Sequence, residues 1–359
     1  MLRGIRQTRD VTPATSHGSE PESEPPFVRV VHVGPGIDSF GGTQTVIRVL
    51  RDHKVGADAV ALLPTWSGSS QMRNAQLTAR AGRAILGADR SQILHFHISN
   101  GGGWLREGPL LVLAKRCGFR VITTIHGFDF PEFAAAHPRF VRAIIRHADR
   151  VLCLSTEARD VAVELIGDAT RVSTITNPVA LDFDAPPAGS VPPVVLFAGS
   201  VGLRKGVDVL VDAWQQILDQ GIDARCRIVG PITDFTPPAM RGLSVEPAVA
   251  AHHVRELLYA ARVVVLPSRA EAMPMILTEA LATGRPFVAT RVGGIPSITP
   301  DPSMLVEAED ADALAKAITV YLIDPDAASE AGRLGREYVA ATRSPAVVGT
   351  ELRKIYLGE

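Results

Sequence analysis

Glu271 and Glu279 close the stretch EAMPMILTE, with seven uncharged residues between them. Two carboxylates can work as acid and base, or they can grip the hydroxyls of one ligand through charge-assisted hydrogen bonds. Pro274 bears on the choice. It holds Met273 out of the helical region and is tolerated at a first helical position, so a helix is expected from about Pro274 to Gly284. Glu271 then stands on a loop and Glu279 one to two turns into the helix. Backbone around Met273, Pro274, Met275 and Ile276 would offer N–H groups to an anion at the helix start. The plainer alternative makes Glu271 a capping group and Glu279 an exposed helix charge.

Two further strand-to-helix turns could hold phosphate. In GPGIDSFGGTQTVIRVL, Gly41 and Gly42 precede a helix, where backbone can approach an anion closely. Turn chemistry alone explains the same glycines. In GSVGLRKGVDVL, Lys205 sits at a helix start, where it opposes the helix dipole unless an anion is shared. A solvated lysine is the competing reading, and Arg204 is a second cation beside it.

Other patterns are weaker. His95 and His97 fall on one face of a strand, a spacing that metal sites use, but no third ligand is evident and no metal is expected. Asp182 and Asp184 form a DxD, as do Asp324 and Asp326; the first lies in a Pro-rich linker and the second at a helix end, which suits turns. HPRFVRAIIRHADR places Arg139, Arg142, Arg146 and Arg150 on one helical face, with Phe140, Ile144 and Ala148 on another. Such a basic face is usually solvated, and it can also rest on an anionic membrane.

The elements that must position these residues follow from the pattern around them. VRVVHVG, ILHFHI, RVITTIHG, RVLCLS and RVSTITN read as strands, apolar on both faces as in a parallel sheet covered by helices. STEARDVAVELIG is a helix capped by Ser155 and closed by Gly167. After the Pro-rich segment NPVALDFDAPPAGSVPP the alternation restarts with VVLFAGS, ARCRIVG, ARVVVLPS and RPFVATRVGG. This gives an α/β chain of two Rossmann-like parallel-sheet domains facing across a cleft, with ligands at the carboxyl ends of the strands. The expected division is a disordered tail at 1–26, a domain at 27–180, a linker at 181–193, a domain at 194–335, and C-terminal helices at 336–359 that could cross back.

Composition agrees with a globular chain. Of 359 residues, 46% are hydrophobic and 21% charged, and 37 basic against 38 acidic side chains leave a net charge of -1, which gives nucleic acid no purchase. Cys117, Cys153 and Cys226 are scattered, so neither a disulfide framework nor a CxxC metal site is expected, and a cytoplasmic setting is the plain reading. No apolar run approaches the ~20 residues of a membrane span, and the first residues lack a signal-peptide core.

The E-x7-E segment, with PS before it and EALATGRPFVATRVGGIP after it, resembles the donor-site signature of retaining family-4 glycosyltransferases of the GT-B fold. FAGSVGLRKGVDVL, TTIHGFDF, the glycine turn and HFHISNGGGWLREGPLLVLAKRCGF extend the resemblance over nearly all of the chain after Pro26, and HFHIS…GGGWLRE is most similar to enzymes of exopolysaccharide and cell-surface glycan synthesis. The resemblance implies sugar transfer from a UDP- or GDP-sugar to a glycan or lipid-linked acceptor, with no metal and no other cofactor. It places Glu271 on hydroxyls of the donor sugar, Glu279 on the ribose, Lys205 on the leaving diphosphate and His126 beside the sugar. Gly41 and Gly42 would approach phosphate or acceptor.

The chain departs from that pattern at Ser200, where arginine is usual after Gly199, at Ala272, where glycine is usual, and at Ser297, where glutamate is frequent. Arg204 could replace the missing cation, and Ala272 disfavours a positive φ. These positions keep open a non-catalytic GT-B-like partner of a polysaccharide assembly system. A metal-dependent transferase using Asp182 and Asp184 is the other alternative.

Overall fold

The computed structural model describes residues 26–37, 41–68, 70–99, 101–182, 184–299 and 301–359, without the side chains of residues 251 and 252. The expected polar tail, apart from Pro26, lies outside the described residues, as does Phe183 of the first DxD.

The first lobe runs β1 (Arg29–Pro35), α1 (Gly42–Asp52), β2 (Ala59–Trp66), α2 (Gln71–Gly87), β3 (Ile93–Ile98), α3 (Gly101–Arg116), β4 (Arg120–Ile125), α4 (Phe130–Ala136), α5 (Pro138–Ile145), β5 (Arg150–Cys153), α6 (Thr156–Ile166) and β6 (Val172–Thr174). Its sheet is parallel throughout, in the order β2-β1-β3-β4-β5-β6. The second lobe runs β7 (Val194–Ala198), α7 (Val207–Asp219), β8 (Arg225–Val229), β9 (Leu243–Glu246), α8 (Ala251–Ala260), β10 (Val263–Leu266), α9 (Met275–Ala282), β11 (Phe287–Thr290), β12 (Leu305–Val306) and α10 (Ala311–Ile323). That sheet is also parallel, ordered β12-β11-β10-β7-β8-β9. Helices α11 (Pro325–Arg343) and α12 (Pro345–Leu357) complete the chain.

The central strands are apolar on both faces because helices cover both sides. Phe96, Val121, Val151, Leu196 and Val264 are all fully buried. Ser155 caps α6 by accepting from the Ala158 N–H at 3.1 Å, and Gly167 ends it at φ 76°. Strand order reverses at β1/β3 and at β7/β10. In open α/β sheets the crevice beyond such a reversal is where ligands bind.

The two lobes are tied where the chain crosses between them. Val179 N–H donates to the Arg343 carbonyl at 2.9 Å, joining the two crossings. Residues 336–343 continue α11 against α9, with Gly335 seated on Leu281, so the helix that returns to the first lobe is α12. It buries Leu352 and Tyr356, and its Ile355 carbonyl accepts from Arg120.

Three strands were not expected from the sequence: β2, β9 and β12. All are sheet edges. An edge strand is covered less completely and need not be continuously apolar; β2 even contains Pro64, which an edge tolerates.

Candidate active site

Lys205 and Glu271 follow β7 and β10, neighbours across the reversal of the second sheet, and that topology brings them together. Glu271 Oε1 accepts from Lys205 Nζ and from Ser268 Oγ, the latter at 2.8 Å, and Arg204 Nη1 stands 3.8 Å away. The carboxylate is only 8% exposed and the lysine 14%. A carboxylate so shielded is held by its cation and hydroxyl, and loss of either leaves charge poorly solvated.

Backbone geometry explains why these side chains converge. Lys205 ends a short 3-10 turn, and Gly206 follows at φ 66°, where an added Cβ would lie 1.9 Å from the Pro267 carbonyl oxygen. Only glycine lets the Lys205 turn lie flat on the strand end that leads to Glu271. On the other side, Gly293 takes φ 52°, and a Cβ there would lie 1.7 Å from the Glu271 carbonyl oxygen, while Gly294 N–H donates to Ala272 O at 2.8 Å. The loop bearing Glu271 is therefore moulded on a glycine pair that the sequence offered only as part of a longer signature.

Helix α9 starts at Met275, with Pro274 as its extended N-cap rather than its first residue. Met273, Pro274 and Met275 are buried and Ile276 half-buried, so the segment packs while its end faces the first lobe. Gly42, the first residue of α1, faces Met275 there, a Cβ on it lying 3.7 Å from Met275 Cγ; Gly41 is the N-cap of α1. Glu279 lies in the second turn of α9, and its carboxyl makes no hydrogen bond among the described residues. Burial raises its carboxyl to about 7, opposed by the Arg48 guanidinium of α1.

Across the cleft, the loop after β4 carries His126 and Phe128. Arg204 stacks over the Phe128 ring at 4.3 Å and donates to the Ala270 carbonyl at 3.1 Å. This aims Arg204 at the site, a direction the sequence could not give. His126 bonds His97, whose other nitrogen bonds His32, and His95 reaches Tyr356 and Thr124. Burial pushes His32 and His126 down to about 3 and holds His95 and His97 well below the usual imidazole range, so all four are neutral.

Several sequence readings are corrected. A third histidine does stand with His95 and His97: His32 pairs with His95 in the β1–β3 register, and one nitrogen of each of the three lies within 4.8 Å of the others. Hydrogen bonds occupy every nitrogen of the trio except His32 Nε2. Ala272 is not among the positive-φ residues, so its side chain brings no backbone strain. Asp182 accepts from the Tyr259 hydroxyl and the Asp184 N–H, and its own N–H bonds Ala282 at the far end of α9, about 12 Å along that helix from its start. Asp324 caps α11. Helix α5 stops at Ile145, so Arg150 belongs to β5 and bonds Thr170 O, while Phe140 is exposed beside Arg139, Arg142 and Arg146.

The sequence reading missed Ser268, Phe128, Arg48, His32 and Arg343. Arg343 is buried, with Nη1 3.2 Å from Met273 Sδ and Nη2 on the Ser297 carbonyl, and no carboxylate pairs with it among the described residues. A basic residue near the end of a long helix gave no local sign of this. The three cysteines are free thiols, and no helix of the described residues is long and apolar enough to cross a membrane.

Comparison with known proteins places this geometry in a family. A model described as Glycosyltransferase Family 4 matches residues 14–183, and one described as Glycosyl transferases group 1 matches residues 192–324. The D-inositol 3-phosphate glycosyltransferase of Streptomyces scabiei is 27% identical over 272 residues, covering 66% of this chain and 61% of that relative. D-inositol 3-phosphate glycosyltransferase 1 of Catenulispora acidiphila is 32% identical, covering 62% of this chain and 63% of its own length. The chain thus spans about three fifths of these curated relatives. Anabaena HepE in complex with UDP-glucose superposes with a TM-score of 0.70 at 13% identity, covering 92% of this chain and 100% of that one. Sucrose-phosphate synthase of Thermosynechococcus elongatus gives 0.68 at 19% identity, covering 92% and 98%. With one family model on each lobe and neighbours of the same two-sheet architecture, the chain belongs to the group 1 and family 4 glycosyltransferases of the GT-B fold.

Proposed function

We propose that the protein transfers a sugar from a nucleoside-diphosphate sugar to a glycan or lipid-linked acceptor, with retained anomeric configuration and without a metal. The observation that carries this reading is the meeting of Lys205 and Arg204 with Glu271 at the reversal of the second sheet. In the resting site the lysine is spent on the carboxylate. A bound donor would separate the two, drawing Lys205 to the diphosphate and leaving Glu271 to accept from sugar hydroxyls. The C1–O bond to the diphosphate breaks as the acceptor hydroxyl oxygen bonds C1, and the hydroxyl proton leaves with the diphosphate. Lys205, Arg204 and the amides at the start of α9 would stabilise the charge that develops, which preorganised groups do best in a dry cleft. Glu279 would hold the ribose and His126 the sugar, with Gly41 and Gly42 leaving backbone room for phosphate or acceptor.

On this reading the second lobe takes the donor and the first the acceptor. The UDP-glucose complex of HepE favours a UDP-sugar over a GDP-sugar. A cytoplasmic protein of exopolysaccharide or other cell-surface glycan synthesis fits the family, and exposed Arg139, Phe140, Arg142 and Arg146 would rest on the inner face of the membrane near a lipid-linked acceptor. The test is a panel of UDP-, GDP- and ADP-sugars, read by thermal shift and slow donor hydrolysis. Stabilisation by one nucleotide family, lost in Glu271→Ala, supports the proposal; a protein that answers none of them is not this enzyme.

A further inference from the structure

Three imidazoles run in line from the cleft into the core. His126 Nε2 lies 2.9 Å from His97 Nδ1, and His97 Nε2 lies 2.8 Å from His32 Nδ1. At the inner end His32 Nε2 is buried without a partner, and at the outer end His126 Nδ1 makes no hydrogen bond among the described residues. His95 stands beside the line but outside it, its nitrogens occupied by Tyr356 and Thr124.

A neutral imidazole has one N–H and one bare nitrogen. Two linked contacts therefore leave only two arrangements of protons along the line. If His126 donates inward, so does His97, and His32 is left with an unpaired N–H in the core. If instead His32 Nδ1–H donates to His97 Nε2, then His97 Nδ1–H donates to His126 Nε2, and His126 keeps its proton on Nδ1. Orphaned buried N–H groups are rarer than under-satisfied acceptors, so the second arrangement is the better satisfied.

We propose that His97 and His32 are positioning residues that hold His126 as its Nδ1–H tautomer, so that it offers a hydrogen-bond donor, not an acceptor, to the ligand in the cleft. This rests on the proposed function for the identity of that ligand, a sugar hydroxyl, but the tautomer itself does not. Burial, which keeps the three rings neutral, prevents protonation from blurring the choice between pH 5 and 8. The β1–β3 and β3–β4 registers make the line possible, placing residues 65 and 29 positions apart in the chain at bonding distance.

Nitrogen-15 NMR of the histidine-labelled full chain reads which ring nitrogen carries the proton. The expected spectrum has His32, His97 and His126 protonated on Nδ1 and unchanged from pH 6 to 8. In His97→Phe the two His126 nitrogen shifts should move toward each other as its tautomers exchange. Turnover should fall roughly 10- to 100-fold, as when an orienting partner of a working imidazole is lost, with KM for the donor changed less than about threefold. His97→Asn, whose amide stands where Nδ1 stood, should recover most of the turnover. His126 protonated on Nε2 in the unmodified protein, or unmoved shifts and turnover in a folded His97→Phe protein, would overturn the relay. Wild-type protein with the expected tautomers but no sugar transfer would overturn the proposed function and leave the relay standing.

Discussion

Glu279 is the residue through which pH should reach nucleotide binding. Burial raises its carboxyl from 4.5 to about 7. A ribose whose hydroxyls donate to this group needs the carboxylate, so the apparent Kd should scale with one plus the ratio of protonated to ionised Glu279. That ratio is about 0.1 at pH 8 and about 30 at pH 5.5, so affinity should fall roughly 30-fold between them, about 2 kcal/mol. The nucleotide's terminal phosphate titrates near 6 and adds its own slope. Glu279→Gln removes the protein's share and keeps the ligand's. Calorimetric titration of UDP into both proteins at half-unit steps should give curves that separate below pH 7. Stability should show the opposite sign. A carboxyl with a raised folded pKa binds its proton more tightly in the fold, so the fold loses stability as pH rises from 4.5 through 7. Glu279→Gln should thus melt higher than the native chain at pH 8 and equally at pH 4.5. The shift corresponds to about 3 kcal/mol as a ceiling, since the carboxylate keeps some solvent contact. Parallel binding curves for the two proteins would refute the assignment of Glu279 to the ribose.

Three other outcomes are expected. Lys205→Ala should lower turnover by about 10²- to 10³-fold and stability by about 1–3 kcal/mol, read by kinetics and denaturant unfolding, because Glu271 keeps only Ser268 at bonding distance; unchanged turnover would remove Lys205 from the reaction. Gly293→Ala should cost about 2 kcal/mol or more and abolish nucleotide-induced stabilisation, since the methyl would collide with the Glu271 carbonyl. Ser297→Glu should raise stability by about 1 kcal/mol by offering Arg343 a carboxylate, and a lower melting temperature would show that the pocket around Met273 cannot admit it.

Much of the frame was legible locally. β-branched runs that are apolar on both faces marked the central strands, and Ser155 with Gly167 marked both ends of a helix. Spacing around Pro274 put Glu271 on a loop and Glu279 on a helix. What the sequence hid is what depends on strand order. Parallel strands join residues far apart in the chain, so nothing near His95 and His97 announced His32, and nothing near Lys205 announced that its partner would be Glu271, held in turn by Ser268. Three of the four edge strands, β2, β9 and β12, escaped because their exposed sides need not be apolar, as Pro64 in β2 illustrates. Ala272 looked like a defect because a positive φ was assumed there; the chain has none at that residue.

By itself, then, the sequence determined the kinds of groups at each turn and the alternation that builds two sheets, since both are set by neighbours within a few residues. Tertiary structure alone decided which turns meet. The reversal at β7/β10 pairs Lys205 with Glu271, the glycine pair at 293 and 294 lets that loop lie flat, and the cleft between lobes sets Arg204 on Phe128 and Arg48 near Glu279. Burial, which shifts Glu279 up and the four histidines down, exists only once those parts have closed over one another.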